Sequence, residues 1–325
     1  NFALGKGDWI VKEAHKYGGK VFATVVNVRH ARRAEDFGTD AVIATGQEAA
    51  AHGEDVTSLV LIPHLAENLT IPVIGAGGFA DGRGLAAALA LGASGVAMGT
   101  RLMTTKESPL HENYKRFTME KDVYDTLFSK RFDGILCRVM KTDAAKRAMK
   151  KGLSWPAAFF NSRDIAAQVG IPYWKLFIGV LMSGYANARQ LAYMANAFKA
   201  IKVATEDGDS KTGVLPVGQV QGLIHDQPSV QELFERILEE AKQAQGKVNE
   251  ALALSAGRIV ICRFNPYCRK CRSTSVRKYS FPTGRRLPRI RSINLPTVRK
   301  TTSGFTWIKK KRRPDRSVRP SPTVF

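Results

Sequence analysis

The chain has 325 residues, 44% of them hydrophobic, a composition that excludes a wholly disordered chain and allows a sizeable buried core. Its net charge of +22 would suit a nucleic-acid-binding protein, but that charge is unevenly placed. From Gly257 onward lie 20 of the 50 Lys and Arg residues and one of the 28 acids. The first 256 residues are therefore nearly neutral, and the basicity belongs to the C-terminal tail.

Cysteine usage and the lack of targeting signals indicate a reducing compartment. Cys137 is the one cysteine in the first 256 residues, so we expect no disulfide framework and predict a cytoplasmic protein. The opening residues show no apolar core followed by a cleavage site, and the most apolar stretch, 85–98, is too short to cross a membrane. The chain begins with Asn rather than Met, which suggests a fragment of a longer protein.

Short apolar runs alternate with helical periods from Lys20 to about Tyr114. Strands are predicted at 21–26, 41–44, 72–76 and 95–98, and helices at 30–37, 57–69, 84–91 and near 108–116. This alternation implies parallel strands with right-handed crossovers, and the continuously apolar strands imply cover on both faces. Four such units are half of a TIM-type (β/α)8 barrel, which normally needs about 250 residues. We therefore predict an α/β fold that holds only the C-terminal half of such a barrel.

The segment from about Asp122 to Gly246 is predicted to be mostly helical. Helical spacing covers 143–150, 162–169, 185–203 and 229–244. The last of these opens with a capping box, Ser229-x-x-Glu232. Trp155 and the aromatic residues near Tyr173 are expected to be core residues. We divide the chain into a barrel half (1–118), a helical subdomain with a closing helix (119–250), and a basic, disordered tail (251–325).

Glycine turns follow two consecutive predicted strands, in PVIGAGGFADGRG and in GVAMGT. Glycine lets the backbone approach a ligand, and N–H groups at a helix start favour an anion. Barrels build phosphate sites from two consecutive loops of this kind, although the same glycines could simply shape tight turns. We favour phosphate binding for the pair. The residues concerned are Ala76, Gly77 and Gly78 in the first turn, and Gly99 and Thr100 in the second.

His52 is the candidate proton acceptor. It lies in the loop that follows the strand ending before Gly46, on the same rim as the glycine turns. A histidine can take a proton from carbon near neutral pH. A lone loop histidine is more often a surface or structural residue, and its position beside a cofactor loop is what favours a catalytic role here.

The run EAAAH…DVTSLVLIPHL, followed by IPVIGAGGFADGRGLAAALALGASGVAMGTRLMTTKES, resembles the nitronate monooxygenase (2-nitropropane dioxygenase-like) family. That family also includes a flavin-dependent enoyl-acyl-carrier-protein reductase. The similarity continues through RFDGILCRVM and LPVGQVQGLIHDQPSVQELFERILEEA, so it covers roughly residues 15 to 250. It implies a barrel that binds FMN without a metal. Residues matched by position are Ala76, Gly77 and Gly78 for one phosphate loop, Gly99 and Thr100 for the other, Gly46 for a flavin contact, His52 for the active-site histidine and, more weakly, Asn27 for a polar residue after a strand.

Two departures from the family pattern affect the expected site. Ala50 and Ala51 stand where the family usually has Gly-Gly before the histidine, which predicts a stiffer loop and a narrower pocket. The N-terminal strands that help hold the flavin ring in the family are missing from this chain. We therefore expect weaker FMN binding than in a whole barrel.

The resemblance implies FMN-dependent oxidation of nitronates or nitroalkanes with molecular oxygen, with His52 as proton acceptor or substrate-orienting residue. One alternative is an NAD(P)H-dependent flavin reductase that acts on enoyl thioesters or quinones. Others are an inactive fragment of the enzyme and a basic nucleic-acid-binding protein that acts through the tail. We expect no membrane partner, and nucleic acid only through the tail.

The tail carries Cys262, Cys268 and Cys271 beside its basic runs. A tetrahedral zinc site would need a fourth ligand, and all six histidines lie before Gln227, so we predict no metal. The change of composition is abrupt at Gly257. Our preferred interpretation is that the tail is not a selected protein sequence, as after a frameshift or a misjoined gene.

Overall fold

The computed structural model describes residues 1–3 and 5–255, which belong to one compact unit, Asn1–Ala256. Most of the predicted basic tail, including its three cysteines, lies outside the described residues. Residues 251–255 are the exception: they continue the last helix, so the prediction of disorder from residue 251 was wrong for this short part. The cause is that the helical pattern of the closing segment runs on beyond the predicted boundary.

The described strands form two sheets. They are β1 (Phe22–Val25), β2 (Ala41–Thr45), β3 (Ala51–His52), β4 (Val73–Ala76), β5 (Gly95–Ala97), β6 (Thr126–Ser129) and β7 (Cys137–Met140). The first sheet is parallel, in the order β1-β2-β4-β5, and Phe2 adds a parallel bridge to Ala23 beyond β1. The second is antiparallel, in the order β3-β7-β6. The predicted α/β fold with a parallel half barrel is confirmed.

Helices follow the strands of the parallel sheet and then form a separate group. They are α1 (Asp8–His15), α2 (Val28–Asp36), α3 (Ser58–Asn68), α4 (Gly82–Ala90), α5 (Thr100–Met103), α6 (Glu112–Glu120), α7 (Asp143–Lys151), α8 (Trp155–Val169), α9 (Tyr173–Met182), α10 (Tyr185–Lys202) and α11 (Val230–Ser255). A π-helical turn spans Val203–Asp207 and a 3-10 turn spans Gln219–Leu223. The helix predicted near 108–116 begins later than expected, at Glu112.

The main core lies between the parallel sheet and helices α2 to α4. Small and β-branched residues dominate it, which suits strands packed closely against crossover helices. Its buried members include Ala23, Val42, Ala44, Ile62, Leu65, Val73 and Ala88. This core holds the carboxyl ends of four parallel strands at one edge of the sheet, and the candidate site residues follow those ends.

The antiparallel sheet was missed by sequence analysis, which predicted a mostly helical segment after Asp122. All four residues of β7 are buried, so this strand lacks the apolar–polar alternation of a half-exposed strand. β3 has only two residues, and it exists because it pairs with β7: Ala51 opposite Arg138, and His52 opposite Cys137. The sheet fixes the backbone that carries His52.

Helices α8 to α10 form an outward-facing group that does not match the predicted core. Trp155 is 45% exposed and Trp174 is 61% exposed, and α9 buries none of its residues. Phe159 and Phe177 line an apolar cavity of about 120 Å³ between the three helices. The expectation that these aromatic residues belong to the core was therefore wrong: they stay partly exposed, and Phe159 packs against Phe177 beside the cavity.

The closing helix α11 packs against α4. A Cβ at Gly82 would collide with the backbone at Ile237 and Ala241, so glycine is needed for this approach. The predicted capping box is confirmed: the N–H of Ser229 donates to Glu232 Oε2 at 2.7 Å, and the N–H of Glu232 donates to Ser229 Oγ at 3.2 Å. Among the described residues there is no helix with the length and apolarity that a membrane span requires.

Candidate functional site

The loops after β2 and β4 are joined at the edge of the parallel sheet. The N–H of Gly46 donates to the carbonyl oxygen of Ala76 at 2.9 Å. Gly77 and Gly78 then turn the chain with φ angles of +95° and +82°, which L side chains rarely adopt. A Cβ at Gly77 would lie 3.0 Å from the backbone nitrogen of Ala49. The first predicted glycine turn therefore lies directly against the loop that leads to His52.

The second glycine turn reaches the same loop through the closing segment. Thr100 is buried, and its hydroxyl accepts a hydrogen bond from the N–H of Gly218 at 2.9 Å. The N–H of Gln219 donates to the carbonyl oxygen of Glu48 at 2.9 Å. A Cβ on Gly99 would meet no atom within 4 Å. The structure thus brings together both glycine turns and the loop before His52, with open space beside Gly99.

Backbone donors in these turns suit an anion. The N–H groups of Gly77, Gly78 and Gly99 make no hydrogen bond within the part of the chain that the structure describes. Successive glycine N–H groups with positive φ angles can form an anion-binding concavity. The two turns therefore offer donors and room for a phosphate group.

The start of α4 was expected to contribute to anion binding, and here the structure corrects the prediction. Asp81 caps this helix by accepting from the N–H of Gly84 at 3.0 Å. Glu240 of α11 accepts from the N–H of Gly82 at 2.9 Å. Because two carboxylates already occupy the helix start, the turn before it is the better place for a phosphate.

The loop from Gly46 to Ser58 is fixed by Glu48. Its carboxylate accepts from the N–H of Ser58 at 3.0 Å and from the Ser58 hydroxyl at 3.0 Å, so it caps α3. A Cβ at Gly46 would collide with both of these residues. Gly46 therefore has a packing role in addition to the predicted flavin contact, because only a glycine leaves room for Glu48 to cap α3.

Arg138 is a site-supporting residue that sequence analysis missed. It is only 5% exposed, and its Nε and Nη2 donate to the carbonyl oxygen of Gln47 at 3.0 and 2.8 Å. Nη1 donates to Thr126 Oγ1 at 2.9 Å, and the guanidinium lies 4.6 Å from the Phe128 ring centre. Burial lowers the pKa of Arg138, while the nearby Glu48 acts in the opposite direction. Arg138 ties the antiparallel sheet to the loop before His52.

His52 lies in β3, within the segment from Gly46 to Ser58, and contacts the turn between β6 and β7. Its Nε2 lies 2.6 Å from Asp133 Oδ2. The His52 side chain is 31% exposed and that of Asp133 is 10% exposed. Cys137 is buried behind them, and burial, followed by the charge of Asp133, raises the pKa of its thiol.

One ligand-type atom from each of His52, Asp133 and Cys137 lies within 4.8 Å of the others, so the trio has the composition of a metal site. Two ligands of one zinc ion, with bonds of about 2.0–2.3 Å, would stand more than about 3 Å apart. The 2.6 Å separation of His52 and Asp133 is instead that of a hydrogen bond. We therefore interpret the cluster as hydrogen-bonded.

Asn27 follows β1 on the same edge and has a structural role. Its Oδ1 accepts from the N–H of His30 at 2.9 Å, which caps α2. Its Nδ2 donates to Glu54 Oε1 at 2.9 Å, two residues beyond His52. Asn27, matched only weakly to the family's polar residue after a strand, thus connects the end of β1 to the histidine loop.

A parallel (β/α) half barrel with glycine turns at adjacent strand ends and a histidine on the same rim is the arrangement of a (β/α)-barrel enzyme, in which the active site lies at the carboxyl ends of the strands. Residues 2–240 match the family model described as nitronate monooxygenase. The chain belongs to the nitronate monooxygenase family, whose members are flavin-dependent oxidoreductases. The resemblance identified from the sequence is confirmed.

Three similar proteins show the spread of the family. The chain is 34% identical over 246 residues to the (3aS,4S,5R,7aS)-5-hydroxy-7a-methyl-1-oxo-octahydro-1H-indene-4-carboxyl-CoA dehydrogenase of Rhodococcus jostii, over 74% of this chain and 70% of that protein. It is 34% identical over 149 residues to a nitronate monooxygenase of Paraburkholderia phytofirmans, over 43% of this chain and 40% of that protein. The solved structure of FabK from Thermotoga maritima aligns with a TM-score of 0.60 and 32% identity, over 77% of this chain and 70% of that one.

Proposed function

We propose that this protein binds FMN, with the phosphate held by the turns at Gly77–Gly78 and Gly99–Thr100. The support is the set of turn N–H groups without an acceptor among the described residues, the positive φ angles and the open space beside Gly99. The hydrogen bond between Gly46 and Ala76 would hold the Gly77–Gly78 turn against the loop that follows β2. Bound FMN would accept the electrons removed from a substrate.

We propose that the reaction is the oxidation of nitronates or nitroalkanes with molecular oxygen. The observation that carries this proposal is the His52–Asp133 pair, which lies on the rim of the barrel and leaves the imidazole partly exposed. Loss of the α-proton converts a neutral nitroalkane into its nitronate. A histidine is suited to accept that proton near neutral pH. His52 would therefore act as the proton acceptor.

Flavin binding is tested by titrating FMN into the purified chain and following flavin fluorescence and absorbance. Saturable binding that inorganic phosphate weakens supports the proposed phosphate site. A folded chain that does not bind FMN contradicts it.

Catalysis is tested by oxygen consumption with a neutral nitroalkane in the presence of FMN. Replacing His52 by Ala should lower turnover by about 10² to 10⁴, as removal of a general base does. His64→Ala, an exposed histidine on α3, is the matched control. Equal turnover by the parent and His52→Ala would remove the proposed base from the mechanism.

A second candidate function is NAD(P)H-dependent reduction of an enoyl thioester or a quinone. The similarity to a CoA-thioester dehydrogenase and to FabK, over about three quarters of this chain, favours it. Oxidation of NADH or NADPH that depends on an added enoyl thioester, without oxygen consumption on nitronates, would select this function.

Two further expectations belong to the same proposal. The cytosol is the expected compartment, because Cys137 is the one thiol in the first 256 residues. We also keep the division into a barrel half, 1–118, and a helical subdomain, 119–250, as a proposal for which part binds flavin and which part shapes the substrate pocket. Limited proteolysis near residues 118–122 would test this boundary.

A further inference from the structure

The hairpin of β6 and β7 brings a carboxylate onto the candidate catalytic histidine. Asp133 lies in the turn between the two strands, 81 residues after His52, and its Oδ2 is 2.6 Å from His52 Nε2. Pairing of His52 with Cys137 fixes the backbone of the histidine against the same hairpin. Strand pairing therefore holds the backbone of His52 beside the turn that carries Asp133.

Asp133 is itself held from several sides. Its Oδ1 accepts from the N–H of Ile135 at 3.1 Å, and its carbonyl oxygen accepts from Gln190 Nε2 at 2.8 Å. Gly134 has a φ of +88°, and a Cβ there would collide with the Gln190 side chain. These contacts leave Oδ2 directed at His52, which is the arrangement of a pre-organised hydrogen-bond acceptor.

The groups around His52 favour one form of its ring. Asp133 and Cys137 are the ionisable side chains in its cluster, and burial keeps the Cys137 thiol protonated by raising its pKa. Arg138, next along β7, directs its guanidinium to Gln47 and Thr126 instead. His52 Nδ1 has no hydrogen-bond partner within the described part of the chain. A carboxylate on Nε2 requires a hydrogen on that nitrogen and leaves the lone pair on Nδ1.

We propose that Asp133 is a positioning residue that holds His52 in the Nε2–H tautomer, so that Nδ1 is the atom that accepts the substrate proton. This rests on the proposed role of His52 as the proton acceptor. The C–H proton of the nitroalkane moves to Nδ1, and its electron pair stays on the substrate as the nitronate. Asp133 then stabilises the imidazolium through the hydrogen bond to Nε2–H.

The proposal predicts a difference between two substrates. A neutral nitroalkane needs the proton transfer, whereas a preformed nitronate does not. Asp133→Asn should therefore lower kcat/KM for the nitroalkane by at least about 100-fold and leave that for the nitronate within a few-fold of the parent. Asp143→Asn, which removes an exposed carboxylate at the start of α7, should change neither value and is the control. Equal losses on both substrates, or on neither, would overturn the positioning role.

The tautomer can be observed directly, without substrate, by nitrogen-15 NMR of the histidine-labelled chain, with His52→Ala assigning the signal. We expect a protonated Nε2 and an unprotonated Nδ1 in the parent, and a mixed population in Asp133→Asn. An Nδ1–H tautomer in the parent overturns the proposal. Because this measurement uses the parent, it does not depend on whether a variant at the buried Asp133 folds.

The two tests separate failure of this inference from failure of the proposed function. An Nε2–H tautomer that depends on Asp133 supports the positioning role even in a chain that does not oxidise nitroalkanes. Nitroalkane oxidation that requires His52 but is unaffected by Asp133→Asn supports the proposed function and overturns the positioning role.

Discussion

The hydroxyl of Thr100 accepts a hydrogen bond from the N–H of Gly218, 118 residues later, at 2.9 Å. Both groups are buried, and Gly218 also lies close enough to Glu48 that a Cβ would be 2.9 Å from its carbonyl oxygen. One residue of a predicted phosphate turn therefore fastens the closing segment to the half barrel. Its side chain has a structural role, while the N–H of neighbouring Gly99 has no acceptor among the described residues.

Replacing Thr100 by Val should lower the free energy of unfolding by about 1–3 kcal/mol, because the buried N–H of Gly218 loses its acceptor. Chemical denaturation followed by circular dichroism measures the change. Thr100→Ser keeps the hydroxyl and should recover most of the loss. An unchanged denaturation midpoint in Thr100→Val would mean that this hydrogen bond adds little to stability.

Replacing Gly77 by Ala should weaken FMN binding as well as the fold. The φ of +95° is unfavourable for alanine, and the added Cβ would lie 3.0 Å from the Ala49 nitrogen at the proposed phosphate turn. Fluorescence titration with FMN measures the loss of affinity, which we expect to be at least about tenfold.

Gly92→Ala is the matched control for Gly77→Ala. Gly92 has a φ of +92°, and a Cβ there would lie 3.0 Å from the Ala66 side chain, after α4 and away from the glycine turns. Both variants should lose about 1–2 kcal/mol of stability, but Gly92→Ala should bind FMN like the parent. Equal FMN affinities in the two variants would argue against a ligand at Gly77.

Replacing Arg138 by Met should destabilise the protein by about 1–3 kcal/mol, because the carbonyl oxygen of Gln47 loses both of its guanidinium donors. Thermal unfolding measures this effect. Arg116→Met is the control: Arg116 also lies beside an aromatic ring, 5.5 Å from the Phe117 ring centre, but its side chain is 61% exposed. A loss no greater than that of Arg116→Met would show that Arg138 does not anchor the loop.

Asp40 should make the free energy of unfolding depend on pH in the acid range. Lys20 and the N–H of Val21, each at 2.8 Å, and then His15 lower the pKa of Asp40 well below its ordinary value of 3.8. Because the pKa of Asp40 is lower in the folded state than in the unfolded state, the ionised carboxylate stabilises the fold at pH values above 3.8. This stabilisation is lost as the pH falls from 3.8 towards the folded-state pKa. Asp40→Asn should therefore be less stable than the parent at neutral pH, and the gap should narrow below about pH 4. Denaturation across this pH range measures the gap, and a gap that stays constant would contradict the assignment.

Much of the half barrel was predictable, and the antiparallel sheet was not. The runs that became β1, β2, β4 and β5 are short, apolar and separated by helical periods, so local pattern alone indicated their type. β3 is a strand of two residues that exists only through its pairing with β7. No local pattern marks such a strand, because its hydrogen bonds come from residues far along the chain.

The same contrast applies within the site. The sequence predicted the glycine turns and His52, because turn chemistry and a reactive side chain are local properties. It did not indicate Asp133 or Arg138, since an aspartate before a glycine and an arginine in an apolar run have no distinctive spacing. At the start of α4, Asp81 is a local cap, but the second carboxylate, Glu240, comes from a helix more than 150 residues later.

The sequence by itself determined the parallel α/β units, the turns between them and the family to which the chain belongs, because these depend on residue type and short spacing. Only the tertiary structure decided which partners complete the site: Asp133 on His52, Arg138 on Gln47, and Gly218 on Thr100. The physical reason is that hydrogen bonds and buried charges depend on distances in space, and chain folding brings together groups that no local pattern relates.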